Sequence, residues 1–178
     1  PDFAHYQESV RAELLRNAGV FLSFYGQAHA LSDCQSRGKD LLTCAVEVFQ
    51  TERLFDHAAE ARVMLAFCYW NTGEIEECEA ILETVQAEFT ENRYHSVYLK
   101  ICINRLLTLI WKKELDLAEQ TIQKIEGFVE HCSDLRLRAM FHNEAGICFR
   151  SKRDYEKAAF HYRKAISTAQ DLGNRQFV

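Results

Sequence analysis

DYEKAAFHYRKAISTAQDLGN, residues 154–174, decides the reading of the chain. Ala158, Tyr162 and Ala165 follow one another by four and three positions, a spacing that keeps them on one face of a helix. Asp154 stands where an N-cap belongs, and Gly173 with Asn174 reads as a helix stop. One amphipathic helix cannot bury its apolar stripe alone, so the pattern must recur if the chain is to build a core.

It recurs every forty residues. Behind Ala158 stand Ala118, Cys78 and Gly38, all small. Four positions past each lie Tyr162, Ile122, Leu82 and Leu42, and seven past lie Ala165, Ile125, Val85 and Ala45. A second anchor, Gly146, is preceded at the same interval by Leu106, Ala66 and Gly26. Phe149, Leu109, Tyr69 and His29 lie three positions beyond that series. The interval is expected to hold without a gap through four units. These are approximately 11–52, 53–92, 93–132 and 133–173 of a single domain over 1–178, with 174–178 opening a further helix.

Each unit reads as two helices. The pair in the first is expected over 10–31 and 36–50, with Ser32 and Asp33 near the turn. In the second, Asn71, Thr72 and Gly73 separate the helices; in the third, Lys112, Lys113 and Glu114 do. In the fourth, Ser133 or Asp134 caps the first helix. One Pro and seven Gly in 178 residues are too few turn residues for a strand-rich fold. The fold class is therefore all-α, built from helix-turn-helix repeats. Small anchors let two helices cross closely, and stacked pairs bury one continuous core in a superhelix.

The fourth unit resembles a tetratricopeptide repeat. It carries Ala145-Gly146 and Phe149 in the first helix and Ala158, Tyr162 and Ala165 in the second. The second unit matches with Leu65-Ala66, Tyr69, Gly73 and Leu82 but has Cys78 where Ala is usual. The third has Arg105-Leu106, and the first keeps Tyr25-Gly26 and Ala45. The repeats are longer than the family standard and lack its Pro. The resemblance implies a right-handed superhelical solenoid. Long repeats with phrases such as Asp171-Leu172-Gly173-Asn174 are similar to those of bacterial regulators. These include large ATP-dependent transcription activators, peptide-pheromone receptors, and segments ahead of diguanylate cyclase domains.

The formal charge of −5 and pI near 5.8 argue against broad nucleic-acid binding by electrostatics. No apolar run approaches a membrane span. Seven cysteines, an odd number with no secretory signal, argue against a disulfide framework and for a reducing cytoplasm. Pro1 and Val178 read as cut points, so a fragment of a longer chain is expected. Cys68 and Cys148 share a repeat position with Ala28 and Thr108, as small core residues would. No CxxC and no paired-His spacing supports a metal, and no cofactor is expected. The isolated glycines make no phosphate loop, and the acids at Glu76, Glu77 and Glu79 suit a helix N-terminus. No catalytic group is assigned, and the chain is read as a non-catalytic module.

In the family the first helix of each pair lines the concave face. That resemblance points to Phe24, Gln27, Met64, Phe67, Trp70 and Asn71 in the first two units. In the other two it points to Ile103, Asn104, Leu107, Trp111, Asn143, Glu144, Ile147 and Arg150. The partner-binding set is taken as Phe67, Trp70, Asn71, Asn104, Leu107, Trp111, Asn143 and Arg150. Aromatics supply area, and Asn104 and Asn143 are placed to bond a peptide backbone. Packing between repeats is the competing role for Trp70 and Trp111. The family's clamp for C-terminal carboxylates is missing, since Val63 and Ile103 replace its Lys or Asn. The expected function is capture of a protein or peptide segment by the docking half of a larger bacterial regulator, with binding biasing the curvature of the array. Two alternatives stand beside it. One is a small-ligand sensor lined by Trp70 and Trp111, the other a scaffold self-associating through an open end near Phe177.

Overall fold

The computed structural model describes residues 3–89 and 95–175. Those residues form eight α-helices and no strand, the all-α arrangement of helix pairs that the spacing predicts. The pairs are α1 (Phe3–His29) with α2 (Ser32–Thr51), α3 (Phe55–Asn71) with α4 (Ile75–Glu88), α5 (His95–Trp111) with α6 (Leu115–Glu130), and α7 (Leu135–Ser151) with α8 (Tyr155–Arg175). The chain divides into two compact units, Pro1–Phe89 and Thr90–Val178. In the first, α2 packs on α1 and α3, and α3 on α4; in the second, α7 packs on α5, α6 and α8.

Five helices end in the same way. A residue in the left-handed region closes the turn: Ala30, Arg53, Gly73, Lys113 or Arg153. The next amide donates back across the turn, from Leu31 to Gly26, Leu54 to Phe49, Glu74 to Tyr69, Glu114 to Leu109 and Asp154 to Phe149, at 2.8–2.9 Å. This is the Schellman closure, which satisfies helix-end carbonyls. Four of the five residues carry a Cβ, at a strain of about 1 kcal/mol each that the closure offsets. Asp134 caps α7 by accepting from the amides of Arg136 and Leu137, and Asp154 caps α8 by accepting from that of Lys157.

Two expectations need correction. Gly73, Lys113 and Arg153 are forty apart, but Ala30 lies forty-three before Gly73. The first turn therefore comes three residues early, and the register is not free of gaps. Ser32 and Asp33 belong to the first turn of α2, and α1 begins at Phe3. The reason is a different helix crossing. A Cβ on Gly38 would lie 2.9 Å from the Gly19 carbonyl oxygen, and one on Gly19 would lie 2.9 Å from that of Gly38. In the last pair the close approach is instead Gly146 against the Tyr162 ring, 2.6 Å from a built Cβ. The second correction concerns Gly173, which does not stop α8; the helix continues to Arg175. Residues 176–178, and with them Phe177, lie outside the described residues.

The repeat phase governs burial in α2, α4 and α6; in α8 Ala158 is buried, but Tyr162 and Ala165 are half-buried and His161 and Thr168 take the inward places. Gly38, Leu42, Ala45 and Phe49 are buried on α2, as are Cys78, Leu82 and Val85 on α4 and Ala118, Ile122, Ile125 and Val129 on α6. Each large apolar side chain in such a row contributes about 1.5–3 kcal/mol. The second unit gathers Leu99, Leu106, Ile122, Phe141, Phe149 and Ala158 into one cluster. In the first unit, Ala12, Ala45, Phe49, Ala58 and Ala61 pack together, a core rich in alanine that brings backbones close.

Candidate binding surface

The first helices of the first unit leave aromatic side chains outside the core. Phe21, Tyr25 and His29 succeed one another by four on α1, so their rings line up along it, with centroids 5.9 and 4.4 Å apart. Phe24, three past Phe21, turns toward α3 and lies 5.4 Å from Phe67. Phe67 in turn stacks on Trp70 at 5.8 Å and 19°. Phe21, Phe24 and Tyr25 are 64%, 49% and 43% exposed. The rings thus form a strip crossing from α1 to α3. A salt bridge from Arg16 to Glu60 at 3.0 Å and a hydrogen bond between His57 and Glu13 at 2.8 Å tie the two helices together. From α2, Lys39 reaches over the Tyr69 ring at 4.6 Å and donates to Thr72 and Glu74. That hydrogen bond holds the Glu74 carboxyl below the usual carboxylate range.

Phe67 and Trp70 are thus brought together. Asn71 follows them in the last turn of α3, with both amide atoms shielded and unpaired among the described residues. In the second unit Asn104 is 4% exposed and donates to the Lys100 carbonyl at 2.8 Å. Leu107 is half-buried, and Trp111, the last residue of α5, is 66% exposed. Asn143 is exposed and donates to Glu144 at 3.0 Å. Burial raises the Glu144 pKa. Arg150 is exposed in the last turn of α7, where the helix dipole favours a cation. Val63 and Ile103 are fully buried.

Other reactive side chains are held inside the units. Burial pushes the Cys78 thiol up to about 12 and raises those of Cys68 and Cys148, keeping them protonated and poor nucleophiles. None of the seven cysteines forms a disulfide. His142 on α7 and His161 on α8 are buried with their Nδ1 atoms 3.1 Å apart, and Phe149 stacks on His161. Such a hydrogen bond needs one donor and one acceptor, so at most one of the two rings carries a charge, and burial lowers the pKa of both. Among the described residues no group of three or more His, Cys, Asp or Glu is placed to hold a metal ion. No described helix is long and apolar enough to cross a membrane. A cleft of about 360 Å³ opens between Ser9, Val10, Glu13 and Leu14 of α1 and Phe49, Leu54 and His57; neither Trp70 nor Trp111 lines it.

Phe21, Tyr25 and His29 were not singled out as binding residues by sequence reasoning. Their signal is an aromatic at every fourth position of a helix whose inward face is already occupied by Gly19, Ser23 and Gly26. No curated protein sequence matches the chain. The family model of the tetratricopeptide repeat matches residues 45–101, which run from the middle of α2 into α5. Repeats of this kind generally mediate protein–protein interaction. The helix pairs and the small anchors agree with this match, and over residues 45–101 the chain is similar to the tetratricopeptide repeat family.

Proposed function

We propose that the chain is a non-catalytic interaction module that captures a protein or peptide segment on the outward faces of its first helices. The observation that carries this reading is the run of rings from Phe24 through Phe67 to Trp70. Phe24 is exposed, and Phe67 and Trp70 are half-buried beside it. Rings placed side by side across two helices supply large contact area at little entropic cost, and aromatics are enriched among interface anchors. In the second unit, Leu107, Trp111, Asn143 and Arg150 are the proposed contacts; Asn104 is buried and its amide is spent on the Lys100 carbonyl, so it is not among them. The chain is proposed to act in the cytoplasm as the docking part of a larger bacterial regulator.

Display selection of random peptides on the immobilised chain tests the reading. Enrichment of a consensus is expected on the wild type and should vanish on a Phe24→Ala/Phe67→Ala variant that melts normally. Equal enrichment on both would remove the ring strip from the function.

A further inference from the structure

We propose that the segment seated on the first unit is a basic amphipathic helix, lying along the open face of α1. This rests on the interaction reading above and adds to it the partner's charge and conformation. Val10, Leu14, Phe21 and Tyr25 are 58%, 65%, 64% and 43% exposed. Their spacing of four, seven and four places them on one side of α1, away from Ala12, Gly19, Ser23 and Gly26, which face inward. The stripe is about 22 Å long at 1.5 Å per residue, the length of about four turns of a partner helix. At its N-terminal end Val10 and Leu14 form one wall of the cleft floored by Phe49 and Leu54, which offers an apolar side chain a place to anchor. A row of apolar side chains ending in a pocket matches the i, i+3/i+4, i+7 anchors of a docked helix better than it matches an extended strand.

Charge decides what kind of helix. Residues 1–89 hold fifteen Asp and Glu against six Lys and Arg, a formal charge of −9; residues 90–178 hold eleven against fifteen, +4. Four of the six bases in the first unit are already tied to carboxylates: Arg11, Arg16, Lys39 and Arg62. Exposed carboxylates remain outside any ion pair among the described residues, including Asp33, Asp40 and Glu47 on α2 and Glu76, Glu77 and Glu83 on α4. An apolar stripe on a strongly anionic body attracts a cationic amphipathic partner and repels a second copy of the same unit. The rings of Phe21 and Tyr25 also accept a Lys or Arg over their faces.

The probes are two fluorescent synthetic helices of identical Leu pattern, one with Lys and one with Glu on the polar face, titrated with the chain. Anisotropy should show the Lys helix binding. Its affinity should fall at least tenfold on the Leu14→Ser/Phe21→Ser chain, and also on raising salt from about 50 mM to about 300 mM, which shortens the screening length. The Glu helix should not bind. Both substitutions are at exposed positions, and an unchanged thermal melt confirms that the variant folds. Binding of both helices alike, of neither, or with no loss on the variant overturns the proposal. So does a wild-type dimer that the same double variant turns into a monomer. If peptide display still yields a consensus lost on Phe24→Ala/Phe67→Ala while the Lys helix fails, only this inference falls.

Discussion

The first and last helix pairs cross at the same place with opposite solutions. Gly19 and Gly38 stand eleven residues before and eight after the left-handed Ala30. His142 and His161 stand at the same two offsets from the left-handed Arg153. In the first unit the crossing is backbone on backbone, and a Cβ on either glycine would run into the other's carbonyl oxygen. In the second unit two imidazoles fill the gap, hydrogen-bonded to one another at 3.1 Å among Phe141, Phe149 and Phe160. A shared turn geometry therefore fixes which two positions meet and leaves open what they are made of. Glycines draw the helices together and make the first unit intolerant of volume. Buried imidazoles make the second unit sensitive to protons.

The junction between consecutive pairs repeats the lesson with charge. Lys39 on α2 bonds Thr72 and Glu74 at the α3–α4 turn. Eighty residues on, Glu119 on α6 takes the place of Lys39, and Lys152 that of Thr72. Lys152 donates to Asp116 at 2.8 Å and to Glu119. Each junction is also covered by a lysine over the aromatic three past the second anchor, Lys39 over Tyr69 and Lys157 over Phe149. The contact is kept and its polarity reversed.

The largest expected effect tests the glycine crossing. Gly38→Leu should destabilise the first unit by about 3 kcal/mol or more, because the obstruction is backbone and cannot swing aside. Gly146→Ala in the second unit meets only the half-buried Tyr162 ring, and the better helix propensity of Ala offsets part of the strain. Its cost should stay below about 1 kcal/mol. Each unit holds one of the two tryptophans. Denaturant unfolding of Trp111→Phe chains therefore reports on the first unit, and Trp70→Phe chains report on the second. Equal losses for the two glycine variants would break the contrast.

Acid should separate the units next. Burial, and then the nearby charges of His161, Lys164 and Arg138, push the His142 pKa down to about 4 from an ordinary 6.5. Burial with Lys157 and Lys164 lowers that of His161 too. Between these limits the unfolded chain takes up protons that the folded unit refuses. The second unit should therefore lose stability as pH falls from about 6.5 toward about 4, on the order of 2–3 kcal/mol in all. Glu74 in the first unit has a lowered pKa, so its contribution is present above the ordinary carboxyl range and fades only below it. Stability measured against pH with each single-tryptophan chain checks this; parallel curves for both units would sink it.

The smallest effect belongs to the junction charges. Lys39→Glu should cost less than about 1 kcal/mol, since Glu74 is well exposed to screening, and Lys39→Glu/Glu74→Lys should recover most of it. The matching reversal in the second unit, Lys152→Glu with Glu119→Lys, should also recover its single-variant loss, though Asp116 is left beside the wrong charge. A double-mutant cycle with no coupling in either unit would reduce these contacts to surface decoration.

Much of the fold was legible because the signal is periodic. The forty-residue interval of Ala158, Ala118 and Cys78 marks side chains that are buried, and Asp134 and Asp154 cap the helices that they precede. The turns were partly hidden. Gly73 advertises a left-handed residue, whereas Ala30, Arg53, Lys113 and Arg153 do not, because closure across the turn imposes that conformation on residues with no preference for it. Phe67 and Trp70 were named from their repeat positions, and both are half-buried. Their connection through Phe24 to Phe21 and Tyr25 was not legible.

By itself the sequence determined the helix pairs and the inward faces of α2, α4 and α6, since spacing along a chain dictates angle around a helix axis. Only the tertiary structure decided which faces meet. Gly19 with Gly38, His142 with His161 and Phe24 with Phe67 are separated by nineteen, nineteen and forty-three residues. Whether such residues touch depends on where each turn falls and how closely the helices cross. A three-residue shift of one turn changes those contacts while leaving every helical stripe intact.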